Sequence, residues 1–86
     1  MSKFDKLLLK VLSGKADQNL SIKDLKNLLI NLGFEEKQAS GSHTLYKKAG
    51  LSEIINVQST KNGQAKSYQV RQVREIILKY KLGSNA

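Results

Sequence analysis

The sequence of 86 residues contains no cysteine, no proline, no tryptophan and a single histidine, His43. Without cysteine, the chain cannot form a disulfide, a thiolate metal site or a cysteine nucleophile. One histidine and scattered carboxylates fall short of the three or four protein ligands that a zinc site ordinarily uses. No glycine-rich phosphate loop of a nucleotide-binding enzyme is present either. We therefore expect no metal and no cofactor.

Long apolar stretches are also missing. Apolar runs such as residues 7–9 and 28–30 are far shorter than the ~20 residues that span a bilayer. The first residues lack the apolar core and the cleavage site of a signal peptide. We expect a single domain over residues 1–86 in the cytoplasm, with no membrane partner.

Acidic residues are few. Seven Asp and Glu stand against fifteen Lys and Arg, which gives a formal net charge of +8. Such an excess on a small domain attracts polyanions and favours nucleic-acid binding through counterion release. The alternative is a basic surface with no specific partner.

Apolar residues recur at helical spacing in two segments of the N-terminal half. Ser2 is the expected N-cap of the first helix, with Asp5 in a capping box, and Gly14 is the expected stop. Ser21 is the expected N-cap of the second helix. Gly33 is expected to end it in a left-handed conformation.

A third helix is predicted near the C-terminus, with Ser67 as its cap. Its buried face is expected to consist of Val70, Val73, Ile76, Ile77 and Tyr80. Residues 83–86 are expected to form a frayed tail.

Three short strands are predicted between the second and third helices, at residues 34–38, 43–48 and 53–58. Glycine and serine mark the turns that separate them. The order α-α-β-β-β-α predicts an α+β fold. We expect a two-layer sandwich in which a three-stranded antiparallel sheet is backed by helices on one face and open on the other.

His43 follows a turn and begins the second predicted strand. Its ordinary pKa of ~6.5 suits proton transfer in either direction near neutral pH. An RNA-cleaving site needs a base for the 2′-hydroxyl proton and an acid for the leaving oxygen. Without further information, a lone histidine beside a turn is more often a solvated surface residue.

Four neighbours of His43 are candidate phosphate-binding residues. Backbone N–H groups at Gly41 and Ser42 could hold a phosphate oxygen, although Gly-Ser more often makes a plain turn. Lys47 should share the strand face of His43, and Lys48 should point to the other face. Either lysine could stabilise charge on a phosphate, or both could simply protect a strand edge.

Further cations surround the last helix. Arg71, Arg74 and Lys81 lie on one stripe beside its apolar face, and Lys61 and Lys66 precede it. Together with the helix N-terminus they predict a phosphate-binding edge. The alternative is a solvated helix face.

These segments resemble the HicA toxins of HicA–HicB toxin–antitoxin pairs. The resemblance covers most of the chain and rests on the helix over 23–32 with Gly33-Phe34, on Gly41-Ser42-His43, on residues 54–58, and on the block 64–74 with Ile76-Ile77 behind it. The first helix, within residues 1–14, is an extension beyond the shortest family members.

The resemblance implies a fold like that of a double-stranded-RNA-binding domain. It implies metal-independent cleavage of mRNA, with His43 as the active histidine, and a cognate HicB-type antitoxin that masks the site. Many relatives have a second histidine directly after the first, where this chain has Thr44. The acid step is therefore unassigned, with Lys47, Tyr46 or water as alternatives.

Two other functions stay open. One is a non-catalytic basic module that binds RNA. The other is a DNA-binding regulator that uses the last helix, although that helix offers few base-reading side chains beyond Gln69 and Gln72.

Overall fold

A computed structural model describes residues 2–39, 41–58 and 60–83. Within these ranges the chain forms α1 (Lys3–Ser13), α2 (Ile22–Asn31), β1 (Glu35–Gln38), β2 (His43–Lys47), β3 (Ile55–Gln58) and α3 (Ser67–Tyr80). The sheet has the order β1-β2-β3, and both strand pairs are antiparallel. The predicted α+β class, element order and antiparallel meander are confirmed.

The first two helices begin at the predicted caps. The Asp5 N–H donates to Ser2 Oγ at 3.1 Å, and the Ser2 N–H returns a bond to the Asp5 carboxylate, which completes a capping box. Ser21 Oγ accepts from the Asp24 N–H at 3.0 Å in the same way. Each cap satisfies a helix N–H that has no partner inside the helix.

The end of α2 decides where the sheet begins. Gly33 takes a φ of +98°, and its N–H donates to the Ile30 carbonyl. The next N–H, that of Phe34, donates to the Leu29 carbonyl at 3.1 Å, which completes a Schellman motif. Phe34 is therefore tied to the helix and buried, and β1 starts at Glu35 rather than at the predicted residue 34.

The core lies between the helices and one face of the sheet. From the strands it receives Thr44, Tyr46, Ile55 and Val57, and all three helices contribute apolar side chains. The largest fully buried side chains are Tyr46, Leu20, Leu25, Leu28, Leu29 and Ile55. Tyr46 is 0% exposed, and its hydroxyl donates to Glu36 on β1 at 2.6 Å. Burial, reinforced by the Glu36 carboxylate, raises the pKa of the Tyr46 hydroxyl well above its usual range.

The start of α3 differs from the prediction. The N-cap is Lys66, which makes no side-chain capping bond, and Ser67 is the first helical residue. The position is instead fixed by the preceding loop, because the Ala65 N–H donates to the Leu20 carbonyl and the Ile22 N–H donates to the Gly63 carbonyl. These bonds hold the start of α3 against the start of α2.

The end of α3 packs onto the first two helices. Lys81 adopts the left-handed conformation, with a φ of 53°. Gly83, predicted to fray, comes so near that an added Cβ would lie 2.7 Å from Leu8 and 3.3 Å from Leu32. The rest of the predicted tail, residues 84–86, lies outside the described residues.

No helix within the described ranges has the length and apolar character needed to cross a membrane.

Arg74 joins α3 to the connector after α1. Its Nη1 donates to Asp17 at 2.8 Å and to the Val11 carbonyl at 3.2 Å. We expect Arg74→Ala to lower the free energy of unfolding by about 1–3 kcal/mol, because it leaves the largely buried Asp17 carboxylate without its ion-pair partner and removes one of two hydrogen bonds to the Val11 carbonyl. Urea denaturation measures the change. Arg71→Ala, at an exposed position of the same helix, is the control and should shift stability by about 0.5 kcal/mol or less. Equal losses in both variants would contradict a structural role for the Arg74 ion pair.

Glu53 links the β2–β3 connection to the end of α3. It accepts from the Tyr80 hydroxyl and from Lys79 Nζ at 2.9 Å, and these bonds lower the pKa of Glu53 from 4.5 to about 2. A carboxyl group whose pKa is lower in the folded than in the unfolded protein stabilises the fold at any pH above its unfolded pKa. This contribution is lost as the pH falls from the unfolded pKa through the folded pKa. Glu53→Gln should therefore be less stable than wild type at neutral pH, and the gap should close between about pH 4.5 and pH 2. Urea midpoints measured across that range test this, and a gap independent of pH would contradict it.

Candidate active site

The outward face of the sheet carries His43. Because Thr44 and Tyr46 are buried, strand alternation turns His43, Leu45 and Lys47 to the other side. In the β2–β3 register, Gln58 lies opposite His43 and Asn56 lies opposite Leu45. We call this surface the open face.

The His43 ring is held by a neighbour on β3. Its Nδ1 lies 3.0 Å from Asn56 Oδ1, the diagonal cross-strand position. An amide oxygen only accepts hydrogen bonds, so with Asn56 Oδ1 towards the ring we assign the proton of the neutral ring to Nδ1. The Nε2 lone pair is then left to accept a proton from a ligand. This is the orientation that a general base requires.

His43 opens into a groove between the sheet and the start of α3. The strand side provides His43, Ile54, Asn56 and Gln58, and the helix side provides Tyr68, Gln69 and Gln72. The groove has a volume of about 330 Å³, which is at the small end for a ligand pocket. We call it the His43 groove. Apart from Ile54, its lining side chains carry polar groups, and none of them is Asp, Glu, Lys or Arg.

The helix side of the groove is partly preorganised. Gln69 Nε2 donates to Gln72 Oε1 at 2.8 Å, which orients both amides. Tyr68 is 54% exposed, and Lys66 Nζ lies 6.0 Å from the centre of its ring. An aromatic face and a cation therefore stand together at the rim of the groove.

Gly41 and Ser42 lie in the turn that leads into His43, and both are exposed. Gly41 has a φ of +62°, and its carbonyl accepts from Gln38 Nε2. The left-handed conformation is one that glycine adopts without strain. The turn is next to the histidine, but neither residue lines the His43 groove.

Lys47, the last residue of β2, and Lys48, directly after it, lie on different sides of the sheet, as strand alternation predicted. Lys47 shares the open face with His43, but four residues of strand place their Cα atoms about 13 Å apart. Lys47 does not line the His43 groove. Lys48 packs over the end of α2, since a Cβ at Gly33 would lie 2.6 Å from Lys48 Nζ. A cation there complements the negative end of the helix dipole.

The other predicted cations are also divided between exposed positions and contacts within the fold. Lys61 and Lys66 line a broad groove at the start of α3. Arg71 is exposed and makes no ion pair with the residues that the structure describes. Arg74 differs, because its charge is offset by Asp17 and its side chain is only 19% exposed.

One alternative for the proton donor is removed. Tyr46 is fully buried and its hydroxyl is bonded to Glu36, so it neither meets a substrate nor stacks on a base. Thr44 is also buried on the core side, with its hydroxyl towards Gln38. A residue at position 44 is thus turned away from the His43 groove.

Sequence reasoning missed four residues of the groove: Ile54, Asn56, Gln58 and Tyr68. The strand pattern placed Asn56 on the face opposite to Ile55 and Val57, which was a usable signal. Its pairing with His43 depends on the cross-strand register, and the position of Tyr68 depends on where α3 starts.

Comparison with protein-family models, curated proteins and solved structures finds no match to this chain. Among the described residues, no group of three or more His, Asp or Glu side chains is placed to hold a metal ion. The functional assignment therefore depends on the geometry of the His43 groove and on the sequence motifs around it.

The tautomer of His43 is directly measurable. In long-range ¹H–¹⁵N spectra of the neutral ring, the wild type should show a protonated Nδ1 and an unprotonated Nε2, because Asn56 Oδ1 accepts from Nδ1. Asn56→Ala should remove this preference. His43 is the only histidine, so the signals need no assignment. Gln58→Ala, across the strand pair, is the control and should leave the tautomer unchanged. A wild-type ring protonated at Nε2 would overturn the orientation argued here.

Proposed function

We propose that this chain is a metal-independent endoribonuclease of the HicA toxin type that cleaves mRNA through His43. The observation that carries the proposal is the bond between His43 Nδ1 and Asn56 Oδ1, which leaves Nε2 available at an open groove. The motif resemblance and the net charge of +8 add support.

The chemistry needs no cofactor. His43 Nε2 takes the proton from a ribose 2′-hydroxyl, and the 2′-oxygen attacks the adjacent phosphorus. The bond from phosphorus to the 5′-oxygen then breaks, which leaves a 2′,3′-cyclic phosphate on one fragment and a 5′-hydroxyl on the other. The departing oxygen takes its proton from water, since Tyr46 is buried and Lys47 does not line the His43 groove.

The cations have a positioning role in this proposal. Lys61 and Lys66 hold backbone phosphates on one side of the His43 groove, and Arg71 adds an exposed charge on the same helix. The Gly41-Ser42 turn directly precedes His43, and in this proposal its N–H groups meet a phosphate oxygen. Arg74 and Lys48 are left out, because each has a structural place.

The proposal includes a protein partner. By resemblance to HicA toxins, a HicB-type antitoxin would occupy the His43 groove and block access of RNA to Nε2. The alternative function, a non-catalytic RNA-binding module, uses the same charges and does not need an oriented histidine.

Cleavage of a mixed-sequence RNA by the purified full chain in EDTA tests the proposal. Wild type should release fragments, and His43→Ala should be slower by about 10²–10⁴-fold, the usual contribution of one general base. Lys10→Ala, which removes one cation from an exposed position of α1 outside the groove, is the matched control. Equal cleavage by wild type and His43→Ala would refute the role of His43. RNA binding without cleavage by any of the three proteins would favour the binding module.

A further inference from the structure

The His43 groove has features that a cleavage site alone does not require. A general base and a phosphate cradle act on the sugar and phosphate, which are the same in every nucleotide. The groove adds an exposed aromatic ring, an exposed aliphatic side chain and several amides. These groups suit a nucleobase rather than a backbone.

Two apolar side chains line the groove while staying half in solvent. Ile54 is 50% exposed and Tyr68 is 54% exposed, and both line the same groove. An aromatic ring beside a cation is the usual platform for an unpaired base, since the base stacks on the ring and the cation meets its phosphate. Lys66, 6.0 Å from the Tyr68 ring, supplies that cation.

The amides give the groove a capacity to distinguish bases. Gln69 Nε2 and Gln72 Oε1 satisfy one another at 2.8 Å. Because Gln69 is only 5% exposed, the group that faces a ligand is the exposed amide of Gln72, which keeps its NH₂ donors and the second lone pair of Oε1 as an acceptor. An adjacent donor and acceptor pair with the complementary edge of a base, as amide side chains do with adenine.

We propose that the His43 groove is a nucleobase subsite, in which Tyr68 stacks on one unpaired base and Gln72 reads its edge. The subsite rests on the proposed function and names its substrate class, which is single-stranded RNA with a base preference next to the cut. A paired base in a duplex cannot enter the groove, because its face and edge are already occupied.

Binding is measured separately from cleavage by using His43→Ala protein throughout. Labelled single-stranded RNA oligonucleotides of uniform base are titrated in EDTA with this protein and with versions that also carry Tyr68→Ala, Tyr68→Trp, Gln72→Ala or Leu78→Ala. Leu78 is 62% exposed on the same helix and does not line the groove, so Leu78→Ala controls for loss of an exposed apolar group.

Tyr68→Ala should weaken binding of the preferred oligonucleotide by about 5- to 100-fold, and Tyr68→Trp should retain it. Gln72→Ala should reduce the difference between bases more than it reduces overall binding. Leu78→Ala should bind as the parent does, and a duplex of the same sequence should bind equally with or without Tyr68. Urea midpoints equal to the parent's show that each variant is folded.

The subsite is overturned if Tyr68→Ala binds single strands as tightly as the parent, or if Leu78→Ala loses as much. Neither result bears on the role of His43 in cleavage, which the cleavage experiment tests separately. Conversely, base-dependent binding that needs Tyr68 supports the subsite even in a chain that does not cut RNA.

Discussion

The burial of Tyr46 is the constraint on which the rest of the site depends. Its side chain is fully buried, and its hydroxyl is bonded to Glu36 of the edge strand. Side chains alternate along a strand, so this one anchor decides that His43 and Lys47 face outward. A slip of one residue would move His43 into the core and the tyrosine into solvent. The core thus selects the face on which His43 lies.

The positive charges are likewise divided between contacts within the fold and exposed positions. Arg74 is paired with Asp17 and Lys48 Nζ lies over the end of α2, so these two predicted phosphate contacts have neighbours within the fold. Lys61 and Lys66 are different, because the loop before α3 is pinned to α2 by backbone bonds and presents both lysines at one groove. Net charge predicts a polyanionic partner, but only the placement of each cation shows which ones are available to it.

The fold could be predicted largely from local signals. Ser2, Ser21 and Gly33 mark helix ends through side-chain caps and a left-handed glycine, and all three have the expected roles. Where a predicted element boundary was wrong, hydrogen bonds to another part of the chain are the reason. The Schellman motif at the end of α2 keeps Phe34 out of β1. The N-cap of α3 is Lys66, one residue before the predicted Ser67, because backbone hydrogen bonds tie Ala65 and Gly63 to the start of α2. Such bonds cannot be read from the pattern of the segment itself.

The candidate site was only partly predictable. His43 stands out because it is the only histidine, and its strand position gives its face. Its contact with Asn56 requires the register of β2 against β3, and its nearness to Tyr68 requires the approach of α3 to the sheet. These are relations between elements far apart in the chain. A single sequence does not specify them, so the residues that complete the groove emerge only from the packed structure.

The termini of the RNA products test the central claim most directly. If Nε2 of His43 activates the ribose 2′-hydroxyl, the fragments must end in 2′,3′-cyclic phosphate and 5′-hydroxyl groups, and an RNA with a single 2′-deoxy nucleotide at the cut must stay whole. Mass spectrometry of both substrates gives the answer. Fragments with 5′-phosphate ends, or cleavage at the 2′-deoxy position, would mean that water attacks the phosphate and that His43 does not act as proposed.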